Sequence, residues 1–293
     1  MRLQLLACAA IFLSGCQAGF FHSLNAPYAF ADYSQTRDVQ YQTDPALKLD
    51  VYVPNASIVR KGARPTIVFF YGGSWRSGSK NWYEFAAARY ALKGYVVFVP
   101  DYRKGPQPSF PGFVEDSARA FAYAKEHTAE YGGDPERMFL MGHSAGAHIA
   151  GLLATDPSYL QAVGLSKRDI AGFVGLAGPF DFLPMTDPKV IAVFQGDANL
   201  PASQPINFVD GSEPPMLLLH GSDDRVVYPK NSVNLADKVN AAGGMAQVHV
   251  YPKLGHLSVL FAAGRGLRSL APEVEPEITR FIEATQARAD AAR

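Results

Sequence analysis

Four short segments of this chain are almost wholly apolar: Thr66–Tyr71, Val96–Pro100, Met138–Gly142 and Met216–His220. Runs this short with no polar face suit strands buried on both sides of a parallel sheet. Gly172–Leu176 and Gln247–Tyr251 read as further strands. Val39–Thr43 and Leu47–Val53 alternate apolar with polar residues, the pattern of half-exposed antiparallel edge strands. Helical patterns follow Trp82, Pro111, Ser144, Pro229 and Pro272, the last two prolines standing where a first helical turn tolerates them. Gly132-Gly133-Asp134-Pro135 reads as a helix stop and turn. Strand alternating with helix implies right-handed crossovers. The expected fold is α/β: an eight-stranded, mostly parallel sheet with helices on both faces. Residues 179–214, rich in Pro, Phe and Asp, break the alternation and are expected to form a small lid.

No repeat or low-complexity linker divides the 293 residues, and 48% apolar content is enough for one sizeable core. Lys+Arg and Asp+Glu balance at 27 each, so there is no basic field of the kind that attracts nucleic acid. Behind Met1-Arg2, the apolar run Leu3–Leu13 is too short to span a bilayer and ends in Ser14-Gly15-Cys16. This segment resembles a bacterial lipoprotein signal. The expectation is that residues 1–15 are removed and that Cys16 carries the lipid. The protein would then be exported and anchored to the membrane of the cell envelope through Cys16. Residues 16–35 would form a tether, 36–285 the domain and 286–293 a frayed tail. Cys8 falls in the removed part, which leaves the domain without a disulfide, a thiolate metal site or a cysteine nucleophile.

Gly142-His143-Ser144-Ala145-Gly146 lies between an apolar strand and a helical pattern. A serine there sits on a sharp strand-to-helix turn, with glycines removing Cβ atoms that would collide, and its Oγ is lifted above the sheet. The helix N-terminus behind it favours developing negative charge. Tyr71-Gly72-Gly73-Ser74-Trp75 follows another strand, and its backbone N–H groups, with that of Ala145, can hold an oxyanion. Ser222-Asp223-Asp224-Arg225 follows the strand Met216–His220; either aspartate can orient a histidine, and the other would cap the turn. Of the seven histidines, His256 alone lies on a loop downstream of both serine and aspartates.

From about Val39 to Ala284 the chain resembles α/β-hydrolase-fold carboxylesterases, in particular the feruloyl-esterase-like, kynurenine-formamidase-like and prenylcysteine-methylesterase-like branches. Besides the segments above, Asp101-Tyr102-Arg103, Gly133-Asp134-Pro135, Ala147-His148, Asp224-Arg225-Val226-Val227 and Gly255-His256 carry the likeness. The resemblance implies Ser144 as nucleophile, Asp224 as acid and His256 as base. It places the N–H groups of Gly73, Ser74 and Ala145 in the oxyanion hole, and makes Asp101 and Arg103 structural. Tyr71 stands where the family usually has His, and Lys104 where it usually has an apolar residue.

The expected reaction is hydrolysis of a small-molecule carboxylic ester through an acyl-enzyme, with no metal or organic cofactor needed. The neighbourhood of Phe180, Phe182 and Phe194 would suit a small aryl or alkyl ester, or these rings fill the core. The alternatives are an amidase or peptidase on the same fold, and a ligand-binding lipoprotein without catalysis.

Overall fold

The computed structural model describes residues 14–58, 64–264 and 271–291. Eight strands make one sheet: β1 (Tyr33–Thr43), β2 (Ala46–Pro54), β3 (Arg64–Phe70), β4 (Val96–Pro100), β5 (Gly133–His143), β6 (Gly172–Leu176), β7 (Met216–Gly221) and β8 (Ala246–Tyr251). Their order is β1-β2-β4-β3-β5-β6-β7-β8. The β1–β2 and β2–β4 pairs are antiparallel, and every pair from β4 to β8 is parallel. This is the α/β-hydrolase fold.

The apolar runs form the middle of the sheet because helices cover both faces. β4, β6 and β7 are buried at every residue, whereas β1, at the edge, alternates half-buried and exposed positions. The helices are α1 (Ser14–Asn25), α2 (Glu84–Ala91), α3 (Gly112–His127), α4 (Ala145–Thr155), α5 (Pro157–Gln161), α6 (Pro188–Val193), α7 (Lys230–Ala241), α8 (His256–Ala263) and α9 (Val274–Ala291). β4 and β6 have the bounds the sequence indicates. β5 begins earlier, inside the expected turn. Gly132 closes the preceding 3-10 turn in a left-handed conformation (φ 77°), and Gly133 already pairs with Arg64 of β3.

Both chain ends depart from the expectation. The tether assigned to residues 16–35 contains α1, which packs on the domain, and β1 starts at Tyr33 rather than after residue 35. Buried Phe21 stacks on Trp82 (5.6 Å) and Tyr83 (5.2 Å), and Phe20 meets Phe261 edge-on. Covering one such ring is worth about 2–3 kcal/mol. The Asn25 side chain accepts from Phe85 N–H at 2.9 Å in the first turn of α2, satisfying one of that helix's free donors. The tail expected to fray from residue 286 continues α9 to Ala291, with Gln286 buried and Arg137 donating to Gln286 and Asp290. Residues 1–13 of the proposed signal lie outside the described residues, and Ser14–Gly15 open α1.

Residues 179–214 form α6 and two 3-10 turns (Pro201–Ser203 and Pro205–Phe208) rather than a further strand–helix unit. Phe180 and Phe194 are fully buried and Phe182 is half-buried, so the core reading holds for the first two rings.

Candidate active site

The loops at the carboxyl ends of β3, β5, β7 and β8 converge, the position where open α/β sheets bind ligands. Ser144 joins β5 to α4 with φ 54° and ψ −122°, a conformation strained for any residue bearing a Cβ. The turn closes only because Gly142 and Gly146 flank it. A Cβ on Gly142 would lie 2.4 Å from Gly146 O, and one on Gly146 would lie 2.0 Å from Phe70 O. Ser144 N–H donates to Leu176 O at 2.9 Å, fixing the turn to β6.

His256 opens α8, and its Nε2 lies 2.8 Å from Ser144 Oγ. Its Nδ1 donates to Asp224 Oδ2 at 2.7 Å. Of the two neighbouring aspartates, Asp224 therefore faces the ring, while Asp223 is exposed and accepts from Ser222 Oγ. The other Asp224 oxygen accepts from Val226 and Val227 N–H, both at 2.9 Å. Burial by itself raises the Asp224 pKa, but hydrogen bonds from His220 and His256 outweigh it and hold the carboxyl well below its usual range. The arrangement can move a proton from Ser144 to His256 while Asp224 holds the ring in the Nδ1–H tautomer.

The turn after β3 is held from several sides. Arg76 and Ser77 N–H donate to Gly73 O, both at 3.0 Å, and Gly73, Ser74 and Trp75 all have positive φ. Among the described residues no hydrogen bond engages the N–H groups of Gly73, Ser74 or Ala145. Tyr71 OH donates to Asp101 Oδ1 at 2.5 Å, and Tyr102 OH donates to Tyr71 O at 2.7 Å. The two departures from the family pattern lie together: Lys104 Nζ sits 5.6 Å from the centre of the Tyr71 ring and 3.9 Å from Asp101 Oδ1. Arg103 instead grips Asp116 through one guanidinium edge, Nε and Nη2 donating to its two carboxylate oxygens at 2.7 and 2.8 Å.

Three further histidines support the site, and the sequence assigned none of them a catalytic part. His143, inside the elbow, donates from Nε2 to His256 O at 3.2 Å, and burial pushes its pKa down to about 3. His148, one turn into α4, accepts from Trp75 Nε1 at 3.0 Å and donates to Ser203 O at 2.7 Å. It thereby links the β3 turn to the 179–214 segment, and burial lowers its pKa to about 4. The third, His220, ends β7 and is fully buried. In the sequence His143 shows only as a member of the Ser144 motif, His148 only through the family likeness and His220 only as the end of an apolar run, and none of these names a partner.

The BD-FAE family model matches residues 49–239. The chain belongs to the BD-FAE family. The match spans Ser144 and Asp224, with His256 beyond it. By fold, this BD-FAE protein is an α/β-hydrolase. A probable isoprenylcysteine alpha-carbonyl methylesterase of Arabidopsis thaliana is 29% identical over 279 residues, covering 87% of this chain and 56% of that protein. Esterase LipC of Mycobacterium tuberculosis is 30% identical over 227 residues, covering 71% of this chain and 56% of its own length. The chain spans 56% to 64% of the length of the plant relatives it matches. Among solved structures, esterase B from Lactobacillus rhamnosis superposes with TM-score 0.77 at 20% identity, covering 100% of this chain and 99% of that one. At that identity the superposition speaks for the fold.

Proposed function

We propose that this BD-FAE protein hydrolyses carboxylic esters through Ser144, His256 and Asp224. The unbroken line Ser144 Oγ–His256 Nε2 (2.8 Å) and His256 Nδ1–Asp224 Oδ2 (2.7 Å) carries the reading. His256 takes the Ser144 proton as Oγ attacks the substrate carbonyl. The N–H groups of Gly73, Ser74 and Ala145 receive the oxyanion, and each such donor is worth about 3–4 kcal/mol in the transition state. His256 protonates the departing alcohol, and the same ring activates the water that frees Ser144. The esterase and methylesterase names of the relatives support ester over amide. The test is a panel of p-nitrophenyl esters of rising chain length beside matched aryl amides. Esters are expected to turn over and amides to lag; faster amide cleavage would move the protein to the amidase alternative.

We also propose that Cys16 is the lipid attachment point, on the support of Leu3–Leu13 followed by Ser14-Gly15-Cys16. No helix among the described residues is long and apolar enough to cross a membrane. Three residues separate Cys16 from Phe20, which packs on Phe261, so the lipid would hold the domain close to the bilayer. Cys16→Ser is expected to abolish labelling by a palmitate analogue while ester turnover persists. A wild-type N-terminus beyond residue 16, found by mass spectrometry and free of lipid, would contradict the anchor.

A further inference from the structure

His220 ends β7, its ring is fully buried, and it stands four residues before Asp224. Its Nε2 lies 2.8 Å from Val227 O and 3.3 Å from Asp224 Oδ2. Both neighbours are acceptors, so Nε2 carries a proton. On the other side, Nδ1 lies 2.8 Å from Ser232 Oγ on α7, whose hydroxyl donates to it when the ring is neutral. The ring thus spans the turn from Asp224 to Val227, and its N–H dipole flanks the carboxylate oxygen that also receives His256 Nδ1–H. Nothing in the Ser144–His256–Asp224 proton relay uses this second histidine.

We propose that His220 is a positioning residue for the reaction: its Nε2–H clamps the 224–227 turn and sets how much of the Asp224 charge is available to His256. The proposal rests on the hydrolase reading above. The other charged or titratable groups at this carboxylate are Asp223 and Arg225 on its own turn, both exposed, His256 from α8, and His143 from β5, whose ring centre is 4.9 Å from that of His256. From α7, His220 meets the Ser232 hydroxyl, and Lys230 of that helix is exposed. Without the His220 N–H, Asp224 interacts more strongly with His256. The imidazolium is then stabilised in the resting enzyme, and the base is lost to protonation at a higher pH. A turn that merely loosened would weaken the Asp224–His256 contact and move the same limb to lower pH.

The experiment compares wild type, His220→Leu, His220→Gln and Ser232→Ala in kcat, KM and pH–rate profile on a p-nitrophenyl ester. The far-downfield NMR resonance of the His256 Nδ1 proton is followed alongside. His220→Leu is expected to lower kcat about tenfold to a hundredfold with little change in KM. It should also shift the acid limb upward by roughly half a pH unit or more, and the resonance further downfield. His220→Gln, whose amide N–H₂ can reach both Val227 O and Asp224, should restore much of both. Ser232→Ala keeps the ring but frees its tautomer, and should shift the limb the same way by less. An acid limb that stays or moves down, or a Gln variant indistinguishable from Leu, would overturn the proposal. If the wild type turns over no ester, the hydrolase reading fails instead. The NMR shift then decides the His220 contact by itself, and an unmoved resonance in the Leu and Ser232→Ala variants rejects it.

Discussion

Replacing Asp224 with Asn is expected to lower kcat on the order of 10⁴-fold with the fold intact, because an amide facing His256 Nδ1 permits the wrong ring tautomer. The same change at Asp223 should cost less than about tenfold. The two residues are adjacent in sequence, but Asp224 Oδ2 takes the His256 Nδ1–H at 2.7 Å whereas Asp223 is exposed and bonded to Ser222. Asp224 is also anchored by two backbone N–H groups at 2.9 Å, which hold its carboxylate at one orientation. Steady-state kinetics on one activated ester, with circular dichroism as the check on folding, separates the two mutants. A larger loss at Asp223 would mean that the acid has been placed on the wrong residue.

The second large effect is a loss of stability in mild acid. His143 and His148 are buried as neutral rings, and burial lowers their pKa values from 6.5 to about 3 and about 4. The unfolded chain takes up a proton at each as the pH falls below about 6.5, while the native protein does not. Their stabilising effect is therefore complete above about pH 6.5. It is lost from there down to about 4 for both rings, and to about 3 for His143. Two protons of difference correspond to roughly 3 kcal/mol per pH unit inside that window. The depressed carboxyl of Asp224 has the opposite starting point: its stabilisation is present above its ordinary value of 3.8 and declines only below it. The lowered carboxyl of Glu275 likewise begins to lose its stabilisation only near its ordinary value of 4.5, so loss between pH 7 and 5 reports the histidines. Urea unfolding at pH 7, 6 and 5 should show unfolding free energy dropping steeply across the series. A flat profile would contradict the neutral burial of both rings.

The middle of the sheet was legible because Val96–Pro100 or Met216–His220 offers no polar face to solvent, which leaves few structures open to such a run. The N-terminal helix was not. Phe20 and Phe21 are apolar residues in a mixed stretch, and only partners dozens or hundreds of residues away, Trp82 and Phe261, make them a packed face. The end of α9 hid for a similar reason, since Arg137 holds Gln286 and Asp290 from across the fold. Within the site, Ser144 was legible because everything it needs is local: a strand, a helix and two glycines that let the backbone close. The residues around Asp223 and Asp224 left both open, and the family likeness favoured Asp224. The direction of the turn after β7, which sends one side chain inward and the other out, depends on its packing rather than on composition. His148 and His220 were opaque because their work lies in partners such as Trp75, Ser203 and Ser232, on other elements of the fold.

The central claim is that Ser144 is the nucleophile, and one measurement addresses it directly. The purified protein is treated with a fluorophosphonate probe, digested and analysed by mass spectrometry, beside Ser144→Ala. A single adduct on Ser144, absent together with ester turnover from a folded Ser144→Ala variant, is the predicted result. An adduct on another serine, or undiminished turnover in the variant, would contradict it.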